Sequence, residues 1–284
     1  MPPMRVLETI KQMRSACQAT KQEGRRLGFV PTMGALHEGH LSLVRAAKVR
    51  CDVVAASIFV NPAQFGPTED FSKYPRSFER DRERLEKEGV ELLFAPSVEE
   101  MYPEDTVTFV TVEGLSERLC GKSRPGHFRG VTTVVSKLFH ITQSDLAFFG
   151  QKDAAQVAII RRMVLDLNLG VEIVVCPIVR EADGLAMSSR NAYLSPQQRR
   201  SALVLSRSLA HVKKLSEQGE RCTAKLAAAG TQVFAEEPSV RLDYFEIVNP
   251  DTLEPVEHIS GPDLVAVAAF VGGTRLIDNI VLTT

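Results

Sequence analysis

The sequence predicts an α/β fold, with a parallel sheet in the N-terminal part and a smaller α+β domain after it. Apolar runs of strand length alternate with helical patterns through the first part, which is typical of a parallel sheet. The run 52–60 is apolar almost throughout, as expected for a strand buried on both faces. Near residue 180 the order changes to helices followed by three β-like runs. We therefore expect two domains, residues 1–180 and 181–284.

The helices of the first domain are predicted from apolar residues at helical spacing, and its strands from short apolar or β-branched runs. The alternating run 106–112 is typical of a strand near the edge of a sheet. The predicted helices are 5–22, 41–50, 77–88, 131–140 and 150 to about 167. The predicted strands are 27–31, 52–60, 90–95, 106–112, 145–149 and 171–175.

The second domain begins with a clear helix start. Ser195 is suited to cap a helix, Pro196 to be its first residue and Gln198 to complete a capping box. This helix is predicted to reach about residue 218, and a second one to follow. The predicted elements after it are a helix at 223–235 and strands at 242–248, 264–271 and 276–282, with helices and a small antiparallel sheet forming one α+β unit.

Composition places the chain among ordinary soluble globular proteins, with 44% hydrophobic and 24% charged residues. The formal net charge of −1 argues against a general affinity for nucleic acid or for anionic membranes. The five cysteines are scattered and include no Cys-x-x-Cys pair, so neither a zinc site nor a disulfide framework is indicated. No run has the length of a transmembrane helix or the pattern of a signal peptide. We expect reduced cysteines and a cytoplasmic protein.

The stretch 29–41 carries the strongest functional signal. An apolar run ends in a Pro/Gly turn, and His37, Gly39 and His40 follow at the start of an apolar-periodic run. The free N–H groups and partial positive charge of a helix N-terminus suit a phosphate, and Gly39 lets a phosphate approach the backbone. We interpret the stretch as a nucleoside triphosphate site. Metal binding by the two histidines and simple capping of the helix remain alternatives.

Other polar segments are expected to meet this stretch, because ligands of parallel sheets bind outside the carboxyl ends of the strands. Lys152 lies at such a strand end, and a lysine at a helix start opposes the helix dipole unless an anion is bound there. The loop 187–190 offers two hydroxyls and a guanidinium that can close over phosphates. Gln64 and Gln156 offer neutral amides for a substrate carboxylate or hydroxyl. A solvated lysine, a polar linker and surface glutamines are the simpler interpretations.

Taken together, these segments resemble the pantoate–β-alanine ligases (pantothenate synthetases), a family within the His-x-Gly-His nucleotidyltransferase superfamily. The resemblance runs in order through the whole chain. Its motifs are Pro-Thr-Met-Gly-Ala-Leu-His-Glu-Gly-His at 31–40, Phe-Val-Asn-Pro-Ala-Gln-Phe at 59–65, Tyr-Pro-Arg at 74–76, Arg-Pro-Gly-His-Phe-Arg-Gly-Val at 124–131, Phe-Gly-Gln-Lys-Asp-Ala-Ala-Gln at 149–156 and Asp-Gly-Leu-Ala-Met-Ser-Ser-Arg-Asn at 183–191.

The resemblance implies an ATP-dependent ligase that works in two steps. The carboxylate of (R)-pantoate attacks the α-phosphorus of ATP, giving pantoyl adenylate and pyrophosphate, and the amine of β-alanine then displaces AMP. It also implies a Rossmann-like first domain, a second domain that closes over the site, a requirement for Mg²⁺ and a homodimer. Another His-x-Gly-His nucleotidyltransferase, or a regulatory nucleotide-binding protein without turnover, remains an alternative.

The same resemblance assigns residues to roles. The implied catalytic residues are His37, His40 (as proton donor) and Lys152, and Asp81 is expected to hold Mg²⁺. Substrate binding is implied for Gln64, Gln156, Asn61 and Arg124. Nucleotide binding is implied for Met33, Gly34, Ala35, Leu36, His37, Glu38, Gly39, His40, Gly150, Gln151, Lys152, Asp153, Val179, Met187, Ser188, Ser189 and Arg190.

Overall fold

The computed structural model describes residues 3–67, 69 and 71–283, which include a six-stranded parallel sheet. Its strands are β1 (Arg5–Leu7), β2 (Leu27–Thr32), β3 (Val53–Ile58), β4 (Leu92–Phe94), β5 (Leu146–Gly150) and β6 (Glu172–Cys176). Their order across the sheet is β1-β4-β3-β2-β5-β6, and every pairing is parallel. The predicted fold class is confirmed for this part of the chain.

Helices cover both faces of this sheet. They are α1 (Ile10–Gln22), α2 (Glu38–Arg50), α3 (Phe78–Lys87), α4 (Val98–Met101), α5 (Cys120–Ser123), α6 (His127–Thr142) and α7 (Ala154–Asp166). Successive residues of β2 enter different cores: Phe29 packs with α1, α6 and α7, and Val30 packs with α2 and α3. Burial on both faces explains why the central strands appear in the sequence as unbroken apolar runs.

The C-terminal part is a three-stranded antiparallel sheet with helices against it. Its elements are α8 (Pro196–Ala202), α9 (Val204–Glu217), α10 (Thr223–Phe234), β7 (Val240–Val248), β8 (Asp263–Val271) and β9 (Thr274–Leu282), with β8 in the middle. The predicted capping box is present, since the Ser195 hydroxyl accepts from Gln198 N and the Gln198 side chain accepts from Ser195 N. Leu264 and Ala266 of β8 also join the core containing Phe29, so the two parts pack directly together. The boundary at residue 180 stays a prediction.

Three predicted boundaries were wrong. The helix predicted for 5–22 is preceded by strand β1, because Thr9 and Gln12 form a capping box that starts α1 at Ile10. The helix predicted to run from Ser195 to about 218 is two helices that meet at Leu203, whose ψ of −14° is nearer to a 3₁₀ turn. The helix predicted from residue 150 is preceded by the 3₁₀ turn Gln151–Asp153.

The strand predicted for 106–112 is also wrong. The segment has no regular secondary structure and joins no sheet of the described chain. Its backbone is instead held by α6, because Thr133 Oγ1 accepts from Val110 N at 3.0 Å and the Thr132 hydroxyl donates to Val110 O at 2.6 Å. Val112 is buried and Val110 is partly buried, whereas Val107 and Phe109 are exposed, so the apolar alternation does not mark a single packed face. Among the described helices, none has both the length and the apolar character needed to cross a membrane.

Candidate active site

The turn between β2 and α2 is held in place by a buried carboxylate. Gly34 and Ala35 have positive φ values of 80° and 50°, which makes the chain turn sharply at this point. Asp81 of α3, only 1% exposed, accepts from Ala35 N at 2.7 Å and from Leu36 N at 2.9 Å. The Ser77 hydroxyl donates to the same carboxylate at 3.1 Å. Asp81 thus anchors the backbone of the predicted nucleotide loop.

These bonds decide whether Asp81 fits as the predicted Mg²⁺ ligand. A Mg²⁺ ion needs free carboxylate lone pairs and usually keeps several waters. Three protein donors use most of the acceptor sites of the Asp81 carboxylate, and the side chain is only 1% exposed. The described part of the chain also contains no group of three His, Cys, Asp or Glu residues that could hold a metal ion. The arrangement of Asp81 does not fit a metal site.

The two histidines of the turn are arranged as a pair of neutral hydrogen-bond donors. His37 caps α2, with Nδ1 accepting from Gly39 N at 3.1 Å, and His40 Nδ1 accepts from His37 N at 3.3 Å. Both Nδ1 atoms therefore lack a proton, and each neutral ring carries its proton on Nε2. Burial, followed by nearby cations including Lys152, lowers the pKa of His37 to about 4, and burial with neighbouring His37 and Lys152 lowers that of His40 to about 3. The pair is uncharged at neutral pH.

Lys152 reaches the same region from the neighbouring strand. It lies in the 3₁₀ turn that follows β5, at the carboxyl end of the strand next to β2. Its ammonium lies 3.8 Å from Asp153 Oδ1, and its side chain is 20% exposed. Because its charge contributes to the lowered pKa of both histidines, the three side chains share one electrostatic environment. The structure thus brings together the three predicted catalytic residues.

A cavity of about 800 Å³ opens beside this cluster, and we call it the main cavity. It lies between the carboxyl end of the parallel sheet and the β8–β9 sheet edge. Six of the predicted site residues line it, namely Arg124, Lys152, Asp153, Gln156, Ser188 and Arg190. Met33, Gly34 and Asp81 line a smaller pocket of about 280 Å³ instead. A cavity of the larger size accommodates a nucleotide-sized ligand.

The loop that carries Met187 to Arg190 closes one side of the cluster. Met187 N donates to Val179 O at 3.0 Å, and the chain reverses between them at Asp183–Gly184. A Cβ built on Gly39 would lie 3.9 Å from Met187 Cβ, so the loop touches the histidine turn. The Ser189 hydroxyl also lies 3.3 Å from the Tyr74 hydroxyl. Ser188 and Arg190 line the main cavity, and their contact with phosphates stays a prediction.

Gln64 and Asn61 lie together under the N-terminal turns of α6. Gln64 is 8% exposed; its amide accepts from Asn61 Nδ2 at 3.1 Å and donates to Met33 Sδ at 2.9 Å. Asn61 Nδ2 also donates to Gly130 O at 3.1 Å. The two amides are therefore fixed next to the nucleotide turn, where a small polar substrate would lie beside the phosphates. Gln156 faces the main cavity separately.

Arg124 is engaged by protein groups rather than directed freely at the cavity. Its guanidinium forms a two-pronged ion pair with Glu69 at 2.7 and 2.6 Å. His127 links it to the 3₁₀ turn Pro62–Gln64, which we call the substrate turn. Its Nε2 accepts from Arg124 Nη1 at 3.0 Å, and its Nδ1 donates to Gln64 O at 2.8 Å. Burial, then the charge of Arg124, lowers the pKa of His127 to about 4, so the ring is neutral in this role. Arg124 therefore supports the substrate turn directly and through His127.

Sequence reasoning missed the residues that hold the site together. Glu69, His127 and Asn279 act on the turns that carry Gln64 and Lys152, and Asp81 was assigned a different role. His127 and Glu69 had a signal, since they lie within or close to quoted motifs. No local pattern in the sequence pointed to Asn279, because it contacts Gln151 and Lys152, which lie 128 and 127 positions earlier in the chain.

Comparison with known proteins agrees with the geometry. A family model described as pantoate–β-alanine ligase matches residues 5–281. The pantothenate synthetase of Koribacter versatilis is 61% identical over 279 residues, 98% of this chain and 96% of the relative. The crystal structure of pantothenate synthetase from Thermus thermophilus is 48% identical with a TM-score of 0.93, over 98% of this chain and 99% of the other. A crystal structure of pantoate–β-alanine ligase from Francisella tularensis, complexed with β-γ ATP and β-alanine, is 33% identical with a TM-score of 0.81, over 98% and 97% of the two chains.

Proposed function

The chain belongs to the pantoate–β-alanine ligase family, and we propose that ATP, (R)-pantoate and β-alanine react in its main cavity. The observation that carries this assignment is the meeting of His37, His40 and Lys152 at the carboxyl ends of adjacent parallel strands. Two neutral N–H donors and one cation close together suit a polyanion more than they suit a metal ion. ATP and β-alanine in the Francisella tularensis structure support the same ligands here.

In the first step, a carboxylate oxygen of pantoate attacks the α-phosphorus of ATP, and the bond from that phosphorus to pyrophosphate breaks. Such a displacement needs positioning and charge stabilisation more than covalent help. The Nε2–H groups of His37 and His40 would donate to phosphate oxygens, and Lys152 would stabilise the charge that develops on the α-phosphate and the leaving group. Because His40 is neutral, we assign it hydrogen-bond donation rather than proton transfer.

In the second step, the amine of β-alanine attacks the acyl carbon of pantoyl adenylate, loses a proton and releases AMP. Gln64 and Asn61 would orient the pantoate moiety, and Gln156, which lines the main cavity, would contact it as well. The 187–190 loop would close over the phosphates through Ser188, Ser189 and Arg190. A closed cavity would also protect the reactive adenylate from hydrolysis.

Three further properties are proposals for this chain. Mg²⁺ would be held through the ATP phosphates, since Asp81 does not fit as a ligand. A homodimer is proposed from the family resemblance alone. The cytoplasm is supported by five cysteines that are all free thiols.

The decisive experiment measures pyrophosphate and AMP released from ATP with each combination of pantoate and β-alanine. We expect pyrophosphate release to depend on pantoate, and continuous AMP release to need β-alanine as well. ADP as the product, or AMP formation unaffected by omission of pantoate, would contradict the proposal. A stable nucleotidylated product would instead identify a different His-x-Gly-His nucleotidyltransferase.

A further inference from the structure

Asn279 of β9 is bonded to the turn that carries Lys152. It is 3% exposed, and its side-chain amide is fully used: Nδ2 donates to Gln151 O at 3.0 Å and to Lys152 O at 3.0 Å. Its Oδ1 accepts from the Gln151 side chain at 3.1 Å. A buried amide with all these bonds to one turn is held in a single orientation.

The two carbonyls that Asn279 binds are those of the peptide units on either side of the Lys152 Cα. Fixing both peptide planes fixes the direction of the Lys152 Cα–Cβ bond and therefore the region that its long side chain can reach. Reaction rates at a preorganised site are sensitive to such placement, since a misplacement of about 1 Å can reduce the rate roughly 100-fold. Asn279 does not need to touch a substrate to influence the reaction.

The preceding residue of β9 holds the loop on the other side of the phosphate site. Asp278, whose side chain is 2% exposed, accepts two bonds from the Arg180 guanidinium at 2.7 and 2.9 Å. Arg180 in turn donates to Gly184 O at 3.0 Å, at the reversal of the 187–190 loop. Asp278 Oδ1 also accepts from Asn279 N at 2.8 Å, which ties the two residues together. One dipeptide of the C-terminal sheet thus contacts the Lys152 turn directly and, through Arg180, the chain reversal that precedes the 187–190 loop.

We propose that Asn279 is a positioning residue for adenylate formation, acting through the backbone of Lys152. The inference rests on the proposed role of Lys152, and it explains how the C-terminal sheet contributes to chemistry at the parallel sheet. Removing the amide leaves the Lys152 side chain present but free to sample other directions. The expected result is a slower first step with little change in the binding of pantoate.

The test is a double-mutant cycle on pantoate-dependent pyrophosphate release, measured in single turnover with Asn279→Asp and Lys152→Ala. The aspartate keeps the shape of the side chain but presents an oxygen to the two carbonyls. We expect Asn279→Asp to lower the rate constant by roughly 10- to 100-fold, with the KM for pantoate within about threefold of wild type. In the Lys152→Ala background the same change should have almost no further effect, because a residue that acts only through Lys152 loses its influence with it.

Asn249→Asp is the matched control, since Asn249 lies at a turn after β7 and uses its Oδ1 to accept from Asp251 N and Thr252 N. That acceptor survives the substitution, so wild-type rates are expected. If Asn279→Asp does not fold, Gln151→Ala replaces it in the cycle. This change removes the side-chain bond to Asn279 Oδ1, and we expect a fall of several-fold that also vanishes without Lys152.

The possible results separate the proposed role of Lys152 from the proposed role of Asn279. A wild-type rate for Lys152→Ala itself would remove Lys152 from the mechanism, and the inference would fall with it. Lys152→Ala could be slow, and Asn279→Asp could slow it further by the same factor as it slows the wild type. That result would keep the role of Lys152 and overturn the role of Asn279. A wild-type rate in folded Asn279→Asp would also overturn it.

Discussion

Gly130 provides the sharpest test of how the substrate turn is packed. It lies in the N-terminal part of α6, and an ideal Cβ there would be 2.2 Å from Ala63 O and 2.6 Å from Gln64 Cα. These are backbone atoms, so no side-chain rotation relieves the overlap. A Gly130→Ala protein must move α6 away from the 3₁₀ turn Pro62–Gln64.

The required movement can be read from the distances. Ordinary contacts of a Cβ begin at 3.4 Å, so the helix and the turn must separate by more than 1 Å. Inserting a methyl group into a packed region costs about 1–3 kcal/mol, and the higher helix propensity of alanine returns up to about 1 kcal/mol. We expect a net loss of about 1–2 kcal/mol in the free energy of unfolding, which lowers Tm by about 2–3 °C in a chain of this size.

The same movement weakens the substrate site. Gly130 O is an acceptor for Asn61 Nδ2, and Asn61 in turn orients Gln64. We therefore expect the KM for pantoate to rise at least tenfold, while the KM for ATP changes little because the histidine turn is held by Asp81. Thermal unfolding and initial-rate kinetics with each substrate varied separately would measure both effects.

Gly170→Ala is the matched control, because its Cβ would meet no atom within 4 Å. We expect that variant to keep the wild-type Tm and both KM values. A Gly130→Ala enzyme with unchanged Tm and unchanged KM for pantoate would refute the argument, since it would mean that the close approach of α6 to the turn is not needed.

Three other predictions follow from the site. Lys152→Ala should slow pyrophosphate release at least 100-fold at an unchanged Tm, measured by single turnover and by thermal unfolding. Asp81→Asn should reduce the free energy of unfolding by about 1.5–3 kcal/mol, because a charged hydrogen bond is lost. The dependence of the rate on Mg²⁺ should stay unchanged. A raised Mg²⁺ requirement at normal Tm would restore Asp81 as a ligand. Burial lowers the pKa of His37, His40 and His127 to between about 3 and 4, so the unfolded chain binds protons below pH 6.5 that the folded chain does not. Stability should therefore be full above pH 6.5 and fall toward pH 4, by up to about 1.4 kcal/mol per pH unit for each histidine, and denaturant titrations that show no such fall would contradict the lowered pKa values.

Much of the parallel sheet was predictable because its central strands are buried on both faces. Burial of that kind leaves an unbroken apolar run, which identifies β2, β3 and β5 without knowledge of their neighbours. The three-residue strand β1 gave no such signal, since only Leu7 of its residues is buried. The segment 106–112 shows the opposite failure: its alternation of β-branched residues predicted a strand, but its backbone is bonded to a helix and Val107 and Phe109 are exposed.

The candidate site likewise contains residues whose position the sequence predicted and residues whose role it did not. Residues that follow strands, such as His37 and Lys152, were predictable because the parallel sheet brings its strand ends together. The role of Asp81 depends on which backbone amides face it, and that is decided by the packing of α3 against the nucleotide turn. The contact of Asn279 with Lys152 depends on how two sheets meet. Neither relation leaves a local pattern in the sequence.

Of the three interpretations of the histidine pair, helix capping and phosphate binding are compatible with each other. Capping of α2 uses Nδ1 of His37 as an acceptor, and the reciprocal bond uses Nδ1 of His40. Capping therefore determines the tautomer, and it leaves both Nε2–H groups as the donors that phosphate binding requires. A metal ion would have to use those same Nε2 atoms without their protons, and the described chain provides no cluster of ligands to complete such a site. Since the pair is neutral, Lys152 supplies the positive charge of this cluster, and the proposed mechanism therefore depends on the orientation of that one side chain.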